Sequence, residues 1–195
     1  MRTISFSDPY GLTLAVKSGN KTMTRRTTKY EVGQELGVSE RYSDIYNQIE
    51  DEEGLAAAID FAQRVLAAHG KDTRDASKAA SLAGWNNKMY VKAELMPTHI
   101  VITDRKEQHI QDITDEECLL EGIRSERMPK GYQPTAYTFY GSTEGRDQEQ
   151  VYYESPTLAF AALINRLSKR IDGKPFWDAN PEVYAYTFKV VDDER

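Results

Sequence analysis

The sequence has few residues of the types that cross-link chains or bind metals. It contains one cysteine, Cys118, and three histidines, His69, His99 and His109. A single cysteine cannot form an internal disulfide, which fits a reducing cytoplasm. The histidines lie too far apart in sequence to match the short ligand spacings of zinc sites. We therefore expect no metal, and we expect Cys118 to be a small core residue.

Long hydrophobic runs and nucleotide-binding patterns are also missing. No apolar run approaches the roughly 20 residues that cross a bilayer, and the N-terminus lacks the charged-then-apolar pattern of a secretory signal. Neither a phosphate-cradling glycine motif nor the serine of a nucleophile elbow occurs. With 195 residues, 39% apolar and 29% charged, the sequence predicts one cytoplasmic domain, with or without insertions, that has no cofactor and no membrane partner.

Negative charge predominates over the chain but not at its start. The net charge is −6, which argues against sequence-blind coating of nucleic acid. Residues 1–30 nevertheless hold six basic residues and one acidic residue, a balance of +5, so the rest of the chain carries −11. A local basic site on an acidic body suits the selective capture of one anionic or phosphate-bearing group.

The basic residues concentrate between Ser18 and Arg26, directly around a glycine. Asp8 and Pro9 predict the start of a short helix, and Gly19 predicts its end. Lys21 then falls in the bend before a strand, of which one face carries Thr22, Thr24 and Arg26. The stretch predicts a cluster of donors aimed at an anion or a polar ligand, with a solvated basic surface as the alternative.

Four of these residues, Gly19, Lys21, Thr24 and Arg26, match the signature G-x-K-x-x-T-x-R. In this the chain resembles the ASCH domain, a small relative of the PUA RNA-binding domains. The resemblance continues in order through residues 30–34, 110–114, 121–123 and 177–181, as in the longer ASCH-like proteins of phages and prophages. It does not cover roughly residues 45–84 and 126–154. It implies a single ASCH/PUA-like domain over residues 1–195, built as a small β-barrel decorated by helices.

Hydrophobic patterning alone predicts an α+β fold. Strands are predicted at residues 35–40, 90–95, 99–103 and 183–190, and helices at 55–66, 75–82, 114–121 and 156–171. The alanine-rich block 48–84 departs from the strand pattern and is predicted to be a helical insertion. A second insertion, the Tyr/Gly-rich segment 126–154, predicts a β-hairpin.

The resemblance implies more than one function. PUA modules recognise RNA, so the first expectation is that the basic site binds RNA, a nucleotide or a nucleoside. The ligand contacts would come from Gly19, Arg25, Arg26 and Glu40, although a strand glutamate such as Glu40 more commonly faces solvent. A further expectation is a phage or prophage accessory protein that acts through protein contacts of its helical insertion.

Some small bacterial ASCH proteins are amidohydrolases that remove the acetyl group from acetylcytidine. Their catalytic lysine, threonine and glutamate correspond here to Lys21, Thr24 and Glu121. A threonine hydroxyl is a weak nucleophile that needs a base, and a lysine serves as one when burial or nearby cations lower its pKa. Arg25 and Arg26 are such cations, and Arg26 is the better candidate to stabilise an oxyanion. Glu121 is expected to orient Lys21 or bind an exocyclic amine, or else is an ordinary exposed helix glutamate.

Overall fold

The computed structural model describes residues 1–128, 135–144 and 149–192. The fold is mixed α+β, as the hydrophobic pattern predicted. Contacts divide the chain into two compact units, which we describe separately. The first contains residues 1–6 and 35–100 with the end of the chain from residue 191, and the second contains residues 7–34 and 101–190.

The strands of the described residues form one larger sheet and two small ones. Their bounds are β1 (Arg2–Ile4), β2 (Met23–Arg26), β3 (Glu35–Val38), β4 (Thr98–His109), β5 (Arg124–Arg127), β6 (Thr135–Thr138), β7 (Thr143–Glu144), β8 (Glu149–Gln150) and β9 (Glu182–Asp192). The larger sheet has the order β1-β3-β4-β9-β2, with β1 parallel to β3 and β2 antiparallel to β9. The sheet is open and mixed, so the small PUA-like barrel is not confirmed.

Helices connect these strands. Their bounds are α1 (Leu12–Lys17), α2 (Tyr42–Glu53), α3 (Leu55–Ala68), α4 (Ala83–Asn86), α5 (Asp115–Leu120), α6 (Pro156–Leu167) and α7 (Phe176–Ala179). Short 3-10 helices add turns at Asp8–Tyr10, Ala76–Ser81, Lys88–Tyr90, Ala93–Leu95 and Ile110–Asp112. Within the described part of the chain, no helix combines the length and the apolar character needed to cross a bilayer.

The helical segment of the first unit has a core of its own. One group of buried side chains comes from α2, α3 and the approach to β4, and consists of Tyr42, Ile45, Phe61, Val65 and Met96. A second group joins α3 to the 3-10 helix at residues 76–81 through Ala62, Leu66 and Ala79. The apolar stripe of α3 is therefore used mainly inside this unit. Because α2 already begins at residue 42, the helical segment extends beyond the insertion expected at 48–84, whose boundaries stay a prediction.

The strand predicted at residues 90–95 is wrong. These residues instead contain the end of one 3-10 helix and the whole of another, Ala93–Leu95. The reason is tertiary packing, because Ala93 and Met96 are buried and the backbone of Ala93 closes over Gly37 in β3. A Cβ atom on Gly37 would lie 2.8 Å from the carbonyl oxygen of Ala93, so only glycine leaves room for this turn.

The helix start predicted at Asp8 is also wrong. Asp8 begins a 3-10 turn, and α1 starts only after Gly11, whose φ of 62° breaks the two apart. The Asp8 carboxylate instead accepts a hydrogen bond from the Thr13 hydroxyl at 2.5 Å. Asp8 thus ties the turn to the first residues of α1 through a side chain rather than through a backbone cap.

The predicted hairpin is seen only in part. Tyr137 and Tyr153 form an antiparallel bridge with backbone hydrogen bonds of 2.9 and 2.8 Å, while β6 pairs with β5 and β7 with β8. Residues 129–134 and 145–148 of the predicted insertion lie outside the described residues. The last predicted strand is present and is longer than expected, since β9 runs from Glu182 to Asp192.

Candidate functional site

A helix, a bend and a strand position the basic stretch. Gly19 follows α1 with a φ of 72°, and its backbone N–H donates to the carbonyl of Val16 at 2.9 Å. A Cβ atom on Gly19 would meet nothing within 4 Å. Gly19 is therefore required for its left-handed backbone conformation and not for close approach of a neighbour. The next turn is closed by Lys21, whose N–H donates to the carbonyl of Ala15 at 2.9 Å.

Strand β2 then divides the basic stretch between two faces of the sheet. It pairs with β9 from Met23 opposite Thr187 to Arg26 opposite Tyr184. Because side chains alternate along a strand, Arg25 lies on the opposite face of β2 from Thr24 and Arg26. Thr24 and Arg25 are both buried.

Helix α5 brings a second set of charged residues to the same place. Its start is the predicted capping box, in which the Glu117 N–H donates to the Thr114 hydroxyl at 3.2 Å and the Thr114 N–H donates to the Glu117 carboxylate at 3.4 Å. Glu121 caps the C-terminal end, and the Thr22 N–H donates to the carbonyl of Leu120 at 3.0 Å. This last bond joins the end of α5 to the beginning of β2.

Lys21 and Glu121 form a buried ion pair. The Lys21 ammonium donates to the Glu121 carboxylate at 2.6 Å and to the Glu121 carbonyl oxygen at 2.7 Å. Their side chains are only 2% and 6% exposed. The resemblance implied that Glu121 orients Lys21 or binds an exocyclic amine, and the structure brings the Glu121 and Lys21 side chains into direct contact. The alternative of an ordinary exposed glutamate does not hold at this position.

Arg25 extends the pair into a cluster. Its guanidinium donates to the second carboxylate oxygen of Glu121 at 3.1 Å and also to Glu117, and it lies 5.9 Å from the centre of the Phe160 ring. Lys106, on β4, donates to the other oxygen of Glu117 at 3.3 Å. Two cations of the basic stretch are therefore buried against carboxylates of α5 and do not form an open basic surface.

The pKa of the Lys21 ammonium lies below its ordinary value of 10.5. Desolvation by burial is the largest cause, because it disfavours the charged form. The charge of Glu121 and its hydrogen bond act in the opposite direction, whereas the charges of Arg26 and Arg25 lower the pKa further. Lys21 thus loses its proton more readily than a lysine in water.

Two neighbours of this pair have shifted pKa values as well. Burial acts to raise the pKa of Glu117, but the charge of Arg25 and hydrogen bonds from Thr114, Lys106 and Arg25 together hold it below its ordinary value of 4.5. Burial also lowers the pKa of Arg26, and the charge of Glu121 opposes that shift. Arg26 therefore lies within electrostatic range of Glu121.

The other predicted site residues, Gly19, Thr24 and Glu40, make none of the side-chain contacts described above. Gly19 is exposed at the bend, and Thr24 is buried on the other face of β2 from Arg25. Glu40 is partly exposed and belongs to the first unit, where its N–H points at the sulfur of Met96 at 3.3 Å. Their contributions to ligand binding or catalysis stay predictions.

Sequence reasoning missed Glu117 and Lys106 as members of the cluster. A signal for Glu117 was present, because it precedes Glu121 by four residues and such pairs share one face of a helix. Lys106 gave no such signal, since only the pairing of the strands brings it near α5. Cys118, between the two glutamates, is fully buried, and burial raises its pKa to about 12.

The described residues contain no group of three histidine, cysteine or carboxylate side chains arranged to hold a metal ion. Comparison of the chain with protein-family models, with curated proteins and with solved structures found no match.

Proposed function

We propose that this site hydrolyses the amide bond of an acylated nucleoside, for which acetylcytidine is the reference substrate. The observation that supports the proposal is the buried pair of Lys21 and Glu121, whose members lie 100 residues apart in sequence. Ionisable residues with strongly perturbed pKa values concentrate at functional sites. The burial of Lys21 and Arg25 also favours a small enclosed ligand over an extended polyanion.

The reaction begins from the neutral form of Lys21, which is reached when the ammonium releases its proton to water and which the lowered pKa of Lys21 makes accessible. Neutral Lys21 then takes the proton of the Thr24 hydroxyl while the Thr24 oxygen bonds to the acyl carbon. The tetrahedral intermediate expels the nucleoside amine, which takes the proton back from Lys21. Water then hydrolyses the acyl-threonine ester, so that the products are the carboxylic acid and the free amine.

One feature supports these roles. Arg26 shares a face of β2 with Thr24 because the two residues are two positions apart, which favours Arg26 as the donor to an oxyanion formed at Thr24. The Lys21 ammonium is bonded to Glu121, so its contact with Thr24 has to form in the substrate complex. Catalytic hydrogen bonds commonly form only in the substrate complex.

The proposal is tested by measuring acetate and cytidine after incubation of the protein with acetylcytidine. Thr24→Ala should lower kcat by at least about 10³-fold with little change in substrate affinity, because the nucleophile acts in the transition state. Thr24→Ser keeps the hydroxyl and should retain part of the activity. If the wild-type protein releases no acid from any acylated nucleoside, the proposal fails.

Recognition of RNA, a nucleotide or a nucleoside without chemistry is the second candidate. The observation that favours it is the ion pair of Lys21 with Glu121, because a lysine held there as an ammonium has no lone pair with which to act as a base. Binding of cytidine or a short RNA that is lost in Lys21→Ala, without any turnover, would support this candidate. The third expectation is partner binding through the helical segment. On α3 the large apolar side chains that are exposed are only Leu55 and Ile59, which is little surface for a partner.

The relation to ASCH and PUA-like proteins is part of the same proposal. It is supported by the G-x-K-x-x-T-x-R stretch and by the contact of Lys21 with the glutamate at the end of α5. Hydrolysis of acetylcytidine that depends on Lys21, Thr24 and Glu121 would support it further. The larger sheet is open with β1 and β2 at its edges, so the sheet does not add to this support.

A further inference from the structure

The pair of Lys21 and Glu121 is one end of a longer row of charges. Arg25 forms ion pairs with both Glu121 and Glu117, and Lys106 forms an ion pair with the other carboxylate oxygen of Glu117. The side chains of Lys21 and Arg25 are 2% and 1% exposed, whereas that of Lys106 is 58% exposed. Positive and negative groups therefore alternate from a buried lysine to a lysine at the surface.

We propose that Arg25 and Glu117 are positioning residues, which hold the Glu121 carboxylate and thereby determine how readily Lys21 releases its proton. The coupling rests on the geometry of the cluster, and only the use made of that proton rests on the proposed function. Neither residue has a role in contact with the substrate in that reaction.

The geometry fixes Glu121 between two cations. One of its carboxylate oxygens accepts from Lys21 at 2.6 Å and the other accepts from Arg25 at 3.1 Å. Arg25 is itself held in place by Glu117 and by the ring of Phe160. A change in the charge or position of Arg25 therefore alters how strongly Glu121 stabilises the protonated form of Lys21.

The groups that act directly on Lys21 include Glu121 at the end of α5 and Arg25 and Arg26 from β2. Glu117 and Lys106 act through Arg25. Without the charge of Arg25, the protonated Lys21 loses a repulsive neighbour and is attracted more strongly by the Glu121 carboxylate, so the pKa of Lys21 should rise. Without the charge of Glu117, Arg25 is less compensated and the pKa of Lys21 should fall.

The test is an NMR titration of the Lys21 side chain in protein that carries ¹³C-labelled lysine. Arg25→Met should raise the pKa of Lys21 by about one unit, and Glu117→Gln should lower it. Lys106→Met is a surface substitution, after which Glu117 compensates the charge of Arg25 alone, so the pKa of Lys21 should rise slightly. This variant keeps the test decisive if Arg25→Met does not fold. Glu31→Gln is the matched control, because it removes an ion pair with Arg105 in the same unit and should change nothing.

Shifts of opposite sign in Glu117→Gln and Lys106→Met support the proposal, because a loss of packing would not reverse its effect with the sign of the charge removed. An unchanged Lys21 titration in both, or shifts of the same sign, overturns it. If an amidase activity is found, the acid limb of kcat/KM should follow the same shifts. If the two variants shift the pKa of Lys21 in opposite directions but the protein shows no turnover, the coupling to Lys21 is supported and the proposed hydrolysis is rejected.

Discussion

At the scale of the residue, Lys21 is the group that needs the most explanation. Removing an ammonium from water is costly, and a buried ion pair commonly recovers no more than that cost. Glu121 supplies two acceptors and Arg25 keeps Glu121 in place. Such a cluster is poorly explained by stability alone, and this is why we propose that it has a function.

Gly19 is a second residue whose identity is fixed, in this case by backbone conformation. At a φ of 72°, Gly19→Ala places a side chain in the left-handed region and should lower the free energy of unfolding by about 1 kcal/mol. Gly19→Asn should lose less, because asparagine tolerates this region. Urea denaturation measures both variants. Equal stability of Gly19→Ala and wild type would contradict a conformational role.

Sequence patterns predicted some residues of the site better than others. The signature stretch singled out Lys21, and the resemblance implied Glu121 as the residue that orients it or binds an amine. The structure brings these two side chains together, while their catalytic roles stay predictions. Arg25 was expected to contact a ligand or to lower the pKa of Lys21, and its hold on Glu117 was not foreseen. That contact depends on the pairing of β2 with β9 and on the placement of α5, which no local pattern contains.

At the scale of the element, short-range signals were reliable at α5 and α6 but not at Asp8, and long-range contacts left no signal. The capping box at Thr114 and the serine cap of α6 are read from three or four consecutive residues, and both are present. The strand predicted at residues 90–95 failed because Ala93 packs on Gly37, more than 50 positions earlier. Local alternation cannot report a neighbour at that distance.

Helix α5 predicts a specific response to acid. The pKa of Glu117 is lower in the folded protein than its ordinary value of 4.5. Its carboxylate therefore stabilises the fold above pH 4.5, and this contribution is lost as the pH falls through the lowered value. Glu117→Gln should be less stable than wild type near neutral pH, and the difference should shrink on acidification. Urea denaturation at several pH values measures it, and a difference that stays constant with pH contradicts the account.

At the scale of the whole molecule, the fold class could be predicted but its division could not. Alternating strands and amphipathic helices indicate α+β from sequence alone. The sheet order, in which the first strand pairs with the third and the last lies next to β2, depends on contacts between distant segments. The two compact units follow from those contacts, and the composition marks only part of the first unit, the alanine-rich block 48–84.

The two units predict that damage to one core should leave the chemistry of the other intact. Leu66 is 1% exposed within the helical segment, whereas Lys21 and Glu121 belong to the second unit. Leu66→Ala should lower the free energy of unfolding by about 2–5 kcal/mol. The Lys21 titration, measured well below the unfolding temperature, should be unchanged. A shifted titration would show that the helical segment controls the site.

The most direct test of the central claim is acetate release from acetylcytidine by wild-type protein and Lys21→Arg, followed from about pH 6 to pH 9. Arginine keeps the positive charge and the contact with Glu121, but its guanidinium cannot lose a proton in this range. The account predicts that wild-type activity rises with pH through the lowered pKa of Lys21 and that Lys21→Arg loses at least about 100-fold at every pH. Full activity of Lys21→Arg would contradict it, because the lysine would then not be the base.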